Sequence, residues 1–163
     1  NDGETVFLGS GTTVLETAKN LRDRKNLTVI TNSLPVLNAL AGIKEITVVS
    51  LGGQLRESEL SFIGHITEQA LAEVRVDKVI MGARGLSLEH GLTNVYLQET
   101  LTDRAILKIG HEVTLVADHS KVNRVSTALL APLSSMNTFV TDSKADKKFI
   151  QALKKQNIKV VIA

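Results

Sequence analysis

The 163-residue chain has no cysteine and no tryptophan. A disulfide framework, a thiolate nucleophile and a Cys-ligated zinc site are therefore excluded at once. One Tyr and four Phe leave little from which to build a stacking platform for single-stranded nucleic acid. Two prolines and 43% hydrophobic residues, with no low-complexity tract, argue against disorder. No apolar run approaches the ~20 residues of a membrane helix, and nothing resembles a signal peptide. A cytoplasmic protein with no membrane partner is expected. Nor does one charge predominate, since 19 basic and 17 acidic residues leave a net +2. The signs are interspersed, unlike the one-sided Lys and Arg of a polyanion-binding face. His65, His90, His111 and His119 fall in no HExxH or other ligand spacing, so neither a metal nor another cofactor is expected.

What remains suffices for one well-filled domain, because a chain of this length buries roughly 69% of its extended surface on folding. Val6, Phe7 and Leu8 form a short apolar run that stops at Gly9-Ser10-Gly11-Thr12-Thr13. Val14, Leu15, Ala18 and Leu21 then recur at helical spacing. Leu27 to Ile30 is a second strand, followed by Thr31-Asn32-Ser33 and a helix that tolerates Pro35 in its first turn. Further strands are expected at Ile46–Leu51, Val79–Met81, Val113–Ala117, Thr138–Thr141 and Ile158–Ile162. Helices are expected over 62–74, from Leu97 through Ile106, and through Phe149, Ile150 and Leu153 after a capping box of Ser143 with Asp146. Residues 54–61 read as a polar loop, and 84–96 as irregular. Continuous apolar strands separated by helices are the pattern of a parallel sheet covered on both faces. The expectation is one α/β domain over residues 1–163, a three-layer sandwich with a mostly parallel central sheet.

The chemistry-bearing residues cluster after strands. In Gly9-Ser10-Gly11-Thr12-Thr13 the glycines bring amides close to a ligand, and the helix start and hydroxyls add donors suited to a phosphate dianion. The same residues would also serve as a plain turn and cap. No Gly-Lys-Ser/Thr follows, and Val14 stands where a dinucleotide fingerprint needs its third glycine. Thr31-Asn32-Ser33, Gly52-Gly53-Gln54, Gly82-Ala83-Arg84-Gly85 and Asp118-His119-Ser120-Lys121 also follow strands. In a parallel sheet all would emerge at the carboxyl edge, where such folds bind ligands. Lys121 could meet a phosphate as a point charge, or pair with an acidic neighbour. Glu99, at a helix start, fits either a site or simple capping electrostatics.

Taken together, GSGTT at 9–13, TNS at 31–33, LGGQLR at 51–56, VDKVIMGARGLSLEHGLT at 76–93, Glu99, Arg104, ADHSK at 117–121 and the closing FVTDSKADKKFIQALKKQNIKVVIA resemble the C-terminal effector domain of DeoR-type bacterial repressors. The resemblance runs in order through essentially the whole chain. It implies a sugar-phosphate sensor with a fold related to ribose-5-phosphate isomerase and the CoA transferases, normally preceded by a winged helix-turn-helix that binds operator DNA. No such element fits here, so operator contact is expected only through a missing amino-terminal domain. A homo-oligomer, dimer or tetramer, is expected from the same resemblance.

By position, the resemblance places a phosphate at Gly9, Ser10, Gly11, Thr12 and Thr13, with Thr31, Asn32, Ser33 and Gly53 nearby. Gly82, Ala83, Arg84, Gly85, Gly91 and Thr93 would border the sugar, and Glu99 and Lys121 would approach its hydroxyls or phosphate. Two departures stand out: His119 replaces a common Ser, and Asp103-Arg104 stands where many relatives have Lys-Arg. The alternative is an aldose-phosphate isomerase. Those enzymes carry an Asp-Gly-Ala-Asp-Glu run where this chain reads Met81-Gly82-Ala83-Arg84-Gly85. The carboxylates that would move the proton are absent from that run, so a non-catalytic sensor is the favoured expectation.

Overall fold

In the computed structural model, which describes residues 1–163, the apolar runs become the interior of one parallel sheet. The chain opens with β1 (Thr5–Leu8), whose Val6, Phe7 and Leu8 are all buried. It continues through α1 (Thr12–Lys19), β2 (Leu27–Thr31), α2 (Leu34–Leu40), β3 (Ile46–Ser50), β4 (Gln54–Arg56), β5 (Ser61–Ile63), α3 (His65–Ala72) and β6 (Val76–Met81). Then come β7 (Gly85–Ser87), β8 (Gly91–Asn94), α4 (Leu97–Ile109), β9 (Gly110–Val116), β10 (Ala128–Ala131), β11 (Thr138–Thr141), α5 (Lys147–Lys155) and β12 (Lys159–Ile162). Seven strands pair in the order β12-β11-β9-β6-β1-β2-β3, and every pairing is parallel.

Burial on both faces explains why the inner strands carry little polar alternation, while the edge strands β3 and β12 are largely open. Phe7, Val79, Leu115 and Phe139 point into a core of 21 residues shared with α3, α4 and α5 through Leu71, Ile106 and Phe149. Phe139 and Phe149 meet edge to face, their centroids 6.3 Å apart. Val6, Leu8 and Val29 point the other way, into a 10-residue core closed by Val14 and Ala18 of α1 and Val36 and Leu40 of α2. Two cores, one on each face of the sheet, make the three-layer α/β sandwich.

The structure differs from the sequence reading in the short strands. Residues 54–63 form an antiparallel hairpin, β4 with β5, so Phe62 and Ile63 belong to a strand and α3 starts only at His65. Residues 84–96 are not irregular: β7 and β8 pair antiparallel, and β10 joins them in a three-stranded sheet. Every residue of β7 and β8 is buried, so strands of three and four residues present no alternation to read. At α5 the cap is Asp146, which accepts from Lys148 N at 2.8 Å, and not Ser143.

Candidate functional site

The chain leaves β1 towards β2 and β3 on one side, and leaves β6 towards β9, β11 and β12 on the other. A crevice therefore opens at the carboxyl ends of these two adjacent strands, the place where open α/β sheets bind ligands. Gly9 N donates to Ile80 O at 3.0 Å, tying the first turn to β6. A Cβ at Gly9 would press on Met81 Cβ at 3.2 Å. Gly11, at φ 114°, then turns the backbone into α1 in a conformation that only glycine adopts readily. No side chain caps α1 and no acidic residue lies in its first turn. Its leading N–H groups and positive dipole end consequently face the crevice unanswered.

The resulting cavity holds about 190 Å³. That is below the ~300–1,000 Å³ of pockets for drug-sized molecules, and suits a small one. One wall consists of Gly9 to Thr13, Gly82 to Arg84, and Asp118 with Lys121. The other brings Glu59, Asn94 at the end of β8, and Glu99 and Asp103 on α4. Lys121 arrives on a single 3₁₀ turn, His119–Lys121, capped by Asp118 Oδ1, which accepts from Ser120 N at 2.7 Å. Hydrogen bonds from Ser120, and then the charges of Lys121 and His119, hold the Asp118 carboxyl below its usual range. His119 ties the turn to the end of β11, its N and Nδ1 lying 2.7 and 3.0 Å from the Asp142 carboxylate. Asp118, His119 and Asp142 bring their ligand atoms within 4.8 Å of one another. Their bonds to backbone and to each other are what organise this exposed turn.

The acidic wall is mostly paired. Arg84 bridges to Glu59, and Arg56 to Glu99, the latter with both side chains close to fully buried. Arg56 also lies 4.7 Å over the Tyr96 ring, a cation–π contact that fixes the guanidinium behind Glu99. Glu99 Oε2 is buried without a hydrogen-bond partner. Asp103 accepts from Asn94 Nδ2 at 2.7 Å. Burial first, and then the Glu99 charge, push its carboxyl up to about 7.

Of the residues expected at the site, Gly9, Ser10, Gly11, Thr12, Thr13, Gly82, Ala83, Arg84, Glu99 and Lys121 line the cavity. Thr31, Asn32, Ser33, Gly53, Gly85, Gly91 and Thr93 do not, and each is engaged in holding the fold. Thr31 Oγ1 donates to Leu8 O at 2.7 Å and accepts from Ser33 N. Asn32 Nδ2 donates to Phe62 O at 2.9 Å, and Ser33 Oγ caps α2 through Val36 N. Gly53 packs on Thr67, Gly85 on the Arg124 backbone, and Gly91 on the Ala131 backbone. Thr93 Oγ1 joins Gly85 O to Ser126 N. The sequence reading did not place Glu59, Asn94 and Asp103 at the site, and it brought Asp118 to the carboxyl edge without giving it a ligand role. Asp103 carried a readable signal, since it lies four residues after Glu99 and shares its helix face. Glu59 and Asn94 come from hairpins whose pairing has no local signature.

Over residues 1–143 the chain matches the family model described as the DeoR C terminal sensor domain. It is 35% identical to the transcriptional repressor AccR of Agrobacterium fabrum, over 93% of this chain and 63% of that protein. Identity to the glycerol-3-phosphate regulon repressor of Escherichia coli is 30%, over 98% of this chain and 63% of that protein. The chain thus spans less than two thirds of the length of these relatives. Among solved structures, ribose 5-phosphate isomerase A from Neisseria gonorrhoeae aligns with a TM-score of 0.52 and 19% identity, over 75% of this chain and 47% of that one. At that identity the likeness is one of fold.

The raised Asp103 carboxyl has a measurable consequence. From about pH 4 to about pH 7 the unfolded chain has released this proton while the folded chain keeps it, so stability falls as pH rises through that window. Asp103→Asn removes the group. The melting temperature of the variant minus that of the parent should climb between about pH 4 and 7 and level off above. A difference that stays flat from about pH 4 to 8 would contradict the assignment.

Proposed function

The chain belongs to the DeoR C-terminal sensor domain family, and from that membership we propose that its crevice receives a small phosphorylated sugar or polyol. The phosphate lies against the amides and hydroxyls of Gly9 to Thr13, with Lys121 supplying a countercharge, and the hydroxyls face Glu99, Asp103 and Asn94. One observation carries this reading. The uncapped amino end of α1 opens into a cavity that Glu99 also lines, and one oxygen of that carboxylate, Oε2, is buried without a partner. A dianion answers the first, and a hydroxyl donor the second. A relative named for the glycerol-3-phosphate regulon supports the chemical class. No bond needs to be made or broken, because a sensor works by binding one conformation better than another. The relatives are named as regulators, and Arg84 stands in the wall where an isomerase would need a carboxylate.

The relatives carry more than a third of their length outside the matched region. Operator binding is assigned to such a segment, with residues 1–163 as its effector portion, acting in the cytoplasm as a dimer or tetramer. Exposed apolar side chains support the self-association: Leu97 is 71% exposed and Leu101 54% on α4, and Ile66 is 60% exposed on α3, which packs against α4.

Calorimetry against hexose, pentose and polyol phosphates and their unphosphorylated forms tests the ligand. At least one phosphorylated form should bind about tenfold or more tightly than its parent sugar. Lys121→Ala should weaken it by roughly 1–2 kcal/mol, and Gly11→Val should abolish it by straining the loop. Equal affinity for unphosphorylated sugars, or formation of product, would overturn the proposal. Light scattering on residues 1–163, with and without duplex DNA, tests the assembly. A multiple of 17.6 kDa unaffected by DNA is expected, and a monomer or a DNA-bound species would count against it.

A further inference from the structure

The cavity carries more carboxyl groups than a phosphosugar bound only through its hydroxyls would use. Glu59 is matched by Arg84 and Glu99 by Arg56, while Asp118 caps its turn and stands beside Lys121. Asp103 has no such partner. Its hydrogen bond comes from the neutral amide of Asn94, and it lies one turn after Glu99 on the same face of α4, where the Glu99 charge acts on it. Glu99 Oε2 is buried and unpartnered beside it. The nearest cations, Arg56 and Arg84, are already paired with Glu99 and Glu59, so this wall offers acceptor oxygens and no unpaired cation.

A hydroxyl would satisfy Glu99 Oε2 but bring no positive charge to the two carboxyl groups. A divalent cation would take six or more oxygens, and the one trio of Asp, Glu and His ligand atoms within 4.8 Å lies elsewhere, at Asp118, His119 and Asp142. An ammonium meets both requirements, donating three hydrogen bonds and carrying the opposite charge. We propose that the effector is an amino-bearing sugar phosphate whose ammonium sits between Glu99 Oε2 and the Asp103 carboxylate. This rests on the reading that the phosphate lies at the amino end of α1. The Asp103 carboxyl, raised to about 7, gains when a fixed cation replaces the proton it holds.

The test is calorimetry on the same chain with matched pairs: the 2-amino-2-deoxy 6-phosphates and 1-phosphates of glucose and galactose, each against its 2-hydroxy counterpart. At least one amino form should bind about tenfold or more tightly than its hydroxy partner. In Asp103→Asn that preference should fall severalfold, read as the ratio of the two affinities so that any change common to both ligands cancels. Glu99→Gln should shrink the same preference. If no amino form exceeds its partner, or the preference survives Asp103→Asn, the ammonium assignment is overturned while the phosphosugar reading stands. If the phosphates bind no better than free glucosamine and glucose, the phosphate reading fails, and this inference with it.

Discussion

The side-by-side pairing of β1 and β6 is the constraint on which the site depends. Leu8 pairs with Ile80 in parallel register, and Gly9 N continues the ladder to Ile80 O. Phe7 and Val79 lie paired beneath, fully buried in the same core. Because the chain departs from these two strands in opposite directions, no connection crosses their carboxyl ends. The gap left between the departing loops has a helix start on one side and a polar turn on the other. Moving either strand by one residue would turn its core side chains to the opposite face, so the geometry of the crevice is held by hydrophobic packing on both sides of the sheet.

Around that gap the chain balances its charges in pairs. Burying Glu99 is tolerable because Arg56 meets it and is itself held by the Tyr96 ring. Removing one partner of such a pair typically costs about 3–5 kcal/mol, since the other is left charged and buried. Asp103 stands outside this scheme. It is half-buried, next to a like charge, and engaged only by a neutral amide. Groups displaced from their ordinary titration range by burial and a specific neighbour tend to mark functional walls. Here the displacement coincides with the unpartnered oxygen of Glu99.

The large parallel sheet was legible because its strands are continuous apolar runs, and each loop at 9–13, 31–33, 52–54, 82–85 and 118–121 does follow a strand. Membership of the edge did not distinguish a ligand loop from a structural one. The 31–33 loop is bonded to the β4–β5 hairpin, where Phe62 N donates to Asn32 O and Leu34 N donates to Leu60 O, and 52–54 runs into its first strand. That hairpin was invisible because three-residue strands carry too few positions for a period. The same holds for β7 and β8, whose pairing brings Asn94 to the cavity and leaves Gly85, Gly91 and Thr93 to pack the small sheet. Asp103 was visible as a departure from the usual Lys at its position, and its effect on the pocket needed the packing of α4 against the sheet edge to become apparent.

The central claim is that a dianion is received at the amino end of α1, in the crevice between β1 and β6. Amide chemical shifts of the isotope-labelled chain, followed while inorganic phosphate is added, test it most directly. Saturable shifts should concentrate at Ser10 to Val14 and at Lys121, while Asn32, Ser33 and Gly91 stay in place. Amides 10–14 that remain unmoved while those of 32–33 or 91 respond would contradict it.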